Sequence, residues 1–144
     1  MNDPLHDIGQ YSPTMTISQL MKFCEKKNIE ITRAMIQNYI RDGLMPSPVN
    51  KRLYTHKHIA ALVVISRLKT VFDIPSIKKT LVPFLDDEGL PMEIYSEILA
   101  KTQMITQKWL NEQGEIFKTE KDGGALLLMS CTADLKRYKG DDLQ

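Results

Sequence analysis

Apolar residues recur at helical spacing near the start of the chain and predict a short first helix. They form one buried stripe on this helix: Ile17, Leu20, Met21 and Cys24. Thr16 and Gln19 have the spacing of a capping box, so the helix is expected to begin near Ile17. The charged run at residues 25–28 ends the stripe, and Thr32 is placed to cap the next helix.

The second predicted helix has one apolar side and one polar side. The apolar side carries Met35, Ile36, Tyr39 and Ile40, and the polar side carries Arg33, Gln37, Asn38 and Arg41. Arginine can pair with guanine, and glutamine or asparagine with adenine, in the major groove of DNA. The polar side therefore suits DNA recognition, and an ordinary solvated surface is the alternative. Gly43 is expected to end the helix, and Pro46 and Pro48 to keep the next residues extended.

A tight turn with two cations is predicted after these prolines. Residues 50–52 are Asn-Lys-Arg, and asparagine favours turn conformations. Lys51 and Arg52 near its tip are suited to contact phosphate beside the groove, although an ordinary exposed loop is equally consistent with the sequence. Tyr54 is expected to anchor the exit from the turn, and Thr55 to cap a third helix.

The remaining pattern predicts four further helices. Residues 55–72 form a helix buried on more than one side, and residues 75–85 form the next. Residues 91–113 read as an amphipathic helix of five to six turns. Residues 115–138 contain the segment 125–131, which is apolar all round and is therefore expected to be buried. The fold class predicted from these elements is all-α.

Residues 16–85 resemble the DNA-binding domain of the MerR family of winged-helix transcription regulators. The matching positions are Ile17 and Leu20, Ile36 and Tyr39, Gly43, Leu44 and Pro46, Arg52 and Tyr54, and residues 72–77. The path from Gly43 to Tyr54 is several residues shorter than in typical MerR proteins, which indicates a short wing. Short-winged relatives include excisionase-like domains and an uncharacterised bacterial family with a MerR-like front half, and the whole chain resembles the latter family more closely. Gln37 stands where MerR proteins usually have Arg, so the resemblance carries no base preference to this chain.

The resemblance implies a homodimer that binds an inverted repeat in double-stranded DNA. The predicted DNA-binding residues are Thr32, Arg33, Gln37, Asn38, Arg41, Lys51, Arg52 and Tyr54. The chain is accordingly divided into a flexible leader (residues 1–15), a MerR-like DNA-binding domain (residues 16–88) and a C-terminal helical region (residues 89–144). In MerR proteins the long helix after the fourth makes the dimer, but packing against the chain's own last helix is an equal alternative here.

Charge is distributed unevenly along the chain. Residues 16–80 contain twelve Lys and Arg against four Asp and Glu, a net +8, whereas residues 81–144 contain seven against twelve, a net −5. The first fifteen residues add −2 through Asp3 and Asp7. A basic front half attracts the phosphate backbone, and docking to an acidic protein is the alternative.

Other functions receive less support from the sequence. An architectural, excisionase-like DNA-binding protein and a protein-interaction module that uses the basic face are the alternatives to a regulator. No catalytic motif, metal-ligand repeat or cofactor motif is recognisable, so we expect neither an enzyme nor a bound metal or cofactor. A small-molecule effector site near Tyr95 and Trp109 is a further hypothesis. Cys24 and Cys131 are expected to be buried free thiols, and the lack of a signal peptide or apolar span predicts a cytoplasmic protein.

Overall fold

The computed structural model describes residues 3–110 and 126–134, and these residues are mostly helical. The helices are α1 (Ile17–Lys26), α2 (Arg33–Arg41), α3 (His56–Leu68), α4 (Ile74–Leu81) and α5 (Met92–Leu110), and residues 126–134 are also helical. Short 3-10 helices lie at Ile8–Gln10 and Val82–Phe84. Two short strands, β1 (Thr14–Met15) and β2 (Tyr54–Thr55), pair antiparallel. The expectation of a helical fold is thus confirmed, with the small sheet as an addition.

The first two helices begin and end where the sequence predicts. The Thr16 hydroxyl accepts the Gln19 backbone N–H, and the Gln19 side-chain oxygen accepts the Thr16 N–H at 2.9 Å. Thr32 caps α2 by accepting the Met35 N–H at 3.1 Å. Gly43 follows α2 with φ of +79°, a left-handed conformation that closes the helix with little steric cost. These local bonds fix where the two short helices begin and end, and packing of their apolar sides in the core supplies most of their stability.

Helix α3 lies at the centre of the core. Nine of its residues are buried, covering all sides of the helix: His58, Ile59, Ala60, Ala61, Leu62, Val63, Val64, Ile65 and Leu68. It contacts both β2 and α5. This confirms the prediction that the third helix is buried on more than one side. It ends at Leu68, earlier than the predicted residue 72.

Residues 3–15 are packed onto the helices, which corrects the expectation of a flexible leader. Leu5 and Ile8 belong to the core, with exposed fractions of 3% and 9%. Tyr11 packs its ring edge-on against Phe23 of α1, with the ring centres 4.9 Å apart. The leader was expected to be flexible because its apolar residues follow no helical or strand period. Tertiary packing orders it instead.

Helix α4 and the next helix differ from the prediction at their ends. Helix α4 stops at Leu81, and the chain continues as the 3-10 helix Val82–Phe84, because Pro83 cannot donate the hydrogen bond that would continue an α-helix. Helix α5 starts at Met92, directly after Pro91. The predicted end of this helix at residue 113 lies outside the described residues. The same is true of both ends of the last predicted helix, at residues 115 and 138.

Residues 125–131 were expected to be buried on every side, and within the described residues 126–131 this is wrong for Leu128. Leu126 and Cys131 are buried, but Leu128 is 42% exposed. On α5, Met104 is 53% exposed. Two large apolar side chains are therefore exposed in the described part of the C-terminal region. No helix in residues 3–110 or 126–134 combines the length and apolarity needed to span a membrane.

Candidate nucleic-acid interface

The two sides of α2 are separated as the sequence predicts. Ile36 and Tyr39 are buried, and Met35 and Ile40 are half-buried against the core. The opposite side is exposed at Arg33, Gln37, Asn38 and Arg41. Long side chains with hydrogen-bonding ends thus project from a rigid helix whose other side is fixed by packing. This arrangement can present donors and acceptors to the edges of bases.

Two of these side chains make contacts at the ends of α2. The Arg33 guanidinium lies 3.1 Å from the hydroxyl of Ser18, an exposed residue in the first turn of α1. The Arg41 Nε lies 3.6 Å from a carboxylate oxygen of Asp42, and both side chains are largely exposed. Such exposed contacts are weak and can be exchanged for contacts with a ligand. The Ser18 contact places the start of α1 beside the start of α2.

The predicted tight turn is a hairpin of residues 49–53. The Val49 N–H donates to the Leu53 carbonyl oxygen at 2.7 Å, and the Leu53 N–H donates to the Val49 carbonyl oxygen at 2.9 Å. At the tip, Asn50 and Lys51 have φ of 54° and 65°. Asparagine tolerates this left-handed region, whereas lysine is uncommon there. Lys51 and Arg52 are both exposed, so the hairpin presents two cations to solvent.

A buried histidine connects this hairpin to α3. The Nδ1 atom of His58 accepts the Thr55 backbone N–H at 3.0 Å and completes a capping box at the start of α3. Its Nε2 atom lies 3.0 Å from the Ser47 carbonyl oxygen and donates to it. Both bonds require the neutral ring with the proton on Nε2. Burial lowers the pKa of His58 below its ordinary value, which favours that neutral form.

Two of the predicted DNA-binding residues have mainly structural positions. Tyr54 is 6% exposed and packs against the His58 ring, and burial raises the pKa of its hydroxyl. Tyr54 therefore supports the hairpin by packing in the interior and does not form part of the exposed surface. Thr32 is exposed, but its hydroxyl accepts the Met35 N–H as the cap of α2. The other six predicted residues lie on the exposed surface of α2 and on the hairpin.

The comparison with known families covers this whole region. The model of a domain family of unknown function, DUF1836, matches residues 12–98, which is more than half of the chain. The chain belongs to the DUF1836 family. No curated protein and no solved structure matches it. The matched segment runs from β1 into α5, so the candidate interface lies entirely within the DUF1836 domain.

The DUF1836 domain contributes a basic residue that the sequence analysis did not select. Lys78, an exposed residue of α4, lies across the end of α2: a Cβ atom built on Gly43 would be 3.4 Å from both its Cε and its Nζ atoms. Lys78 is thirty-five positions away from Gly43 in the chain, and no local pattern links the two. Lys22, four residues after Ser18 on α1, is also exposed and basic. Ser18 and Lys22 face the same side of α1 by helical spacing.

The described residues offer little for metal or thiol chemistry. Among residues 3–110 and 126–134, no three His, Cys, Asp or Glu side chains come together as a metal site. Cys24 and Cys131 are buried free thiols, as predicted, and burial raises the pKa of each to about 11. A thiol with such a pKa is a poor nucleophile and a poor metal ligand at neutral pH.

The predicted effector region contains a small crevice. It lies between α3, α5 and residues 126–134, has a volume of about 20 Å³, and is lined in part by Arg67, Thr102 and Asp134. This is room for a water molecule, and far less than a drug-sized ligand occupies. Tyr95 is buried, and the Trp109 side chain lies outside the described residues. The effector hypothesis therefore gains no support from this crevice.

Proposed function

We propose that this DUF1836 protein is a sequence-specific transcription regulator that binds double-stranded DNA as a homodimer on an inverted repeat, through a MerR-like winged helix-turn-helix. One observation carries the proposal. The exposed polar side of α2 is followed in the chain, within about ten residues, by a hairpin whose tip presents Lys51 and Arg52. A base-reading helix beside a phosphate-contacting loop is the minimum that sequence-specific DNA binding requires.

Each part of this surface has a separate role in the proposal. Gln37 and Asn38 lie in the middle of the exposed side of α2 and contact base edges in the major groove. Arg41 contacts a base or a phosphate, after exchanging its weak contact with Asp42. Lys51 and Arg52 contact the phosphate backbone and fix the orientation of α2 without contributing to base preference. Lys78 adds a cation at the end of α2.

The charge distribution favours docking with residues 16–80 toward the DNA over docking with residues 81–144 toward it. The net charge of +8 over residues 16–80 attracts the DNA backbone, and the net charge of −5 over residues 81–144 keeps the rear half away from it. The uneven charge also predicts a strong salt dependence of binding. Each phosphate contact adds about one unit to the slope of log affinity against log salt concentration.

The homodimer is proposed to form through the C-terminal region. Helix α5 leads out of the family-matched segment, and the open apolar side chains of Met104 and Leu128 lie in this region. Burial of such side chains against a second copy of the chain would stabilise the dimer. A two-fold symmetric dimer presents two α2 helices and therefore reads an inverted repeat.

The test is selection of bound duplexes from a random pool by the purified full chain, followed by affinity measurements at two salt concentrations. We expect an enriched inverted repeat that is bound at least about a thousandfold more tightly than scrambled DNA. Gln37→Ala should change the selected sequence, whereas Arg52→Ala should weaken binding to all sequences and reduce the salt slope by about one.

Three results would contradict this proposal, each in a different way. Weak, uniform and salt-sensitive binding, with cooperative filling of direct repeats, would indicate an architectural role. A selected site without two-fold symmetry would contradict the homodimer. No binding at either salt concentration would exclude DNA as the ligand and direct attention to an acidic protein as the partner of the basic face.

A further inference from the structure

Residues 3–15 connect parts of the molecule that are far apart in sequence. At one end, the Asp3 carboxylate accepts the hydroxyl of Tyr95 on α5 at 2.7 Å and the Leu5 backbone N–H at 2.8 Å. At the other end, β1 pairs with β2, with Thr14 opposite Thr55. Strand β2 is the segment by which the chain leaves the hairpin of residues 49–53. The N-terminal segment therefore runs from α5 to the base of the hairpin.

Between these ends the segment is attached to α1 and α3. Asp7 forms an ion pair with Lys27 at 2.7 Å, and both side chains are mostly buried. The hydrogen bond from Lys27 lowers the pKa of Asp7. Further along, the Ser12 carbonyl lies 2.9 Å from Nε2 of His56, the first residue of α3. The segment is thus held at both ends and at two places between them.

The small sheet needs this support. Each strand has two residues, and the hairpin is bridged by one residue pair, Val49 and Leu53. A hairpin of this size has marginal stability in water, and packing or a further strand is required to hold it. Strand β1 supplies that addition, and it lies between residues 3–13 and the start of α1.

We propose that residues 3–15 form a strap that positions the hairpin of residues 49–53 relative to α5, with Asp3 and Tyr95 as positioning residues. The inference rests on the proposed function, because the hairpin is the element proposed to contact phosphate. The strap couples a helix assigned to dimerisation to a loop assigned to DNA. Residues 3–11 lie outside the family-matched segment, so the functional unit extends beyond it.

The experiment compares four variants of the full chain. Tyr95→Phe removes the hydroxyl and keeps the buried ring, and Asp3→Ala removes the acceptor. Asp3→Asn keeps an oxygen that can accept the same bonds. Gln10→Ala is the matched control, since Gln10 is an exposed residue of the same segment. Amide hydrogen exchange without DNA is the first measurement, and affinity for a selected duplex, below the unfolding temperature of every variant, is the second.

For Tyr95→Phe, we expect the β1 and β2 amides to exchange about fivefold faster, as the loss of one hydrogen bond predicts. For Asp3→Ala, which removes the acceptor of two hydrogen bonds, the increase should be at least as large. DNA affinity should fall by a similar factor. Asp3→Asn should stay within about twofold of the natural chain, since the acceptor is kept, and Gln10→Ala should be unchanged. A strap that only stabilised the fold would leave the affinity of the folded protein unaltered.

Two results would overturn the strap. One is faster exchange restricted to residues 3–6 and the first turns of α5, with β1 and β2 unaffected. The other is an Asp3→Asn variant as perturbed as Asp3→Ala. If the natural chain binds no duplex, the proposed function fails, and the exchange measurement alone still decides whether α5 is coupled to the hairpin.

Discussion

Lys51 combines an exposed charge, proposed above to contact phosphate, with an unfavourable backbone conformation. Its φ of 65° lies in the left-handed region, where a β-carbon is crowded by the following carbonyl. Asn50 has a φ of 54° and tolerates it better, because short polar side chains are accommodated in this region. A lysine at this position places a charge at the hairpin tip at a cost in backbone strain. Stability and binding should therefore respond to its removal in opposite directions.

We predict that Lys51→Gly raises the free energy of unfolding by up to about 1 kcal/mol, because relief of the left-handed strain outweighs the greater entropy of glycine in the unfolded chain. The same change should weaken binding to all duplexes and reduce the salt slope by about one. Chemical denaturation and DNA titrations at several salt concentrations measure the two effects. Asn50→Gly is the control and should leave the salt slope unchanged. A lower stability together with unchanged binding would refute the assignment of Lys51.

His58 links protonation to the hairpin. In the folded chain its Nδ1 atom accepts the Thr55 N–H, so a proton on Nδ1 would face another donor. Burial is the largest cause of the lowered pKa of His58. The unfolded chain therefore binds this proton at a higher pH than the folded chain does. By linkage, the stability that comes from the neutral ring is present above the unfolded pKa and is lost as the pH falls.

We predict that the free energy of unfolding decreases as the pH drops below about 6.5. The carboxylates with lowered pKa values, such as Asp7 and Asp86, lose their contribution only at more acidic pH, below about 4. Denaturation curves between pH 5 and 8 measure the effect. His58→Gln should fold and lose this slope, because a glutamine at the same position completes the capping box of α1. If the free energy of unfolding of His58→Gln still decreased over this pH range, the decrease would be due to another group.

At the scale of elements, α2 was predicted well because its determinants are local. Its cap at Thr32, its stop at Gly43 and the separation of its sides all depend on residues within a few turns. The strap was not predicted, because its order depends on contacts such as Asp3 with Tyr95, which are 92 positions apart. The position of Lys78 beside Gly43 is of the same long-range kind. Local pattern thus identified the helices and most of the candidate surface, but not what supports them.

Neighbouring residues of α2 test the assignment of its sides. Ile36 is fully buried, so Ile36→Ala should reduce the free energy of unfolding by about 2–5 kcal/mol. Gln37 is exposed, so Gln37→Ala should change stability by less than about 0.5 kcal/mol and alter the selected DNA sequence. Thermal denaturation and duplex selection on both variants are the measurements. A Gln37→Ala variant that unfolds, or that selects the same DNA as the natural chain, would refute this assignment.

At the scale of the whole molecule, the predicted boundary at residues 88 and 89 lies in tightly packed structure. The Leu90 N–H donates to the Lys57 carbonyl at 3.0 Å, and the Lys57 ammonium pairs with Asp86 at 2.8 Å. Leu90 and Tyr95 belong to the same core as α3. Helix α5 therefore shares its hydrophobic core with the front half. We infer that the two predicted regions unfold together.

Gly89 gives a sharp test of that inference. Its φ is +132°, and a Cβ there would lie 2.3 Å from the carbonyl oxygen of Lys57. We predict that Gly89→Ala lowers the free energy of unfolding by about 2–5 kcal/mol, through backbone strain and forced displacement of α3. Gly9→Ala is the control, since nothing lies within 4 Å of a Cβ at Gly9. Its stability should stay close to that of the natural chain.

The shape of the transition decides between one cooperative unit and two. Fluorescence of Trp109, the single tryptophan, follows the C-terminal region, and the His58 ring signals in nuclear magnetic resonance follow the front half. If the core is shared, both probes should give the same midpoint in the natural chain and the same lowered midpoint in Gly89→Ala. Early loss of the Trp109 signal while the His58 signals persist would mean that residues 89–144 unfold on their own. The hydrogen bond between Asp3 and Tyr95 argues against that outcome, because it ties the start of the chain to α5 across the same core.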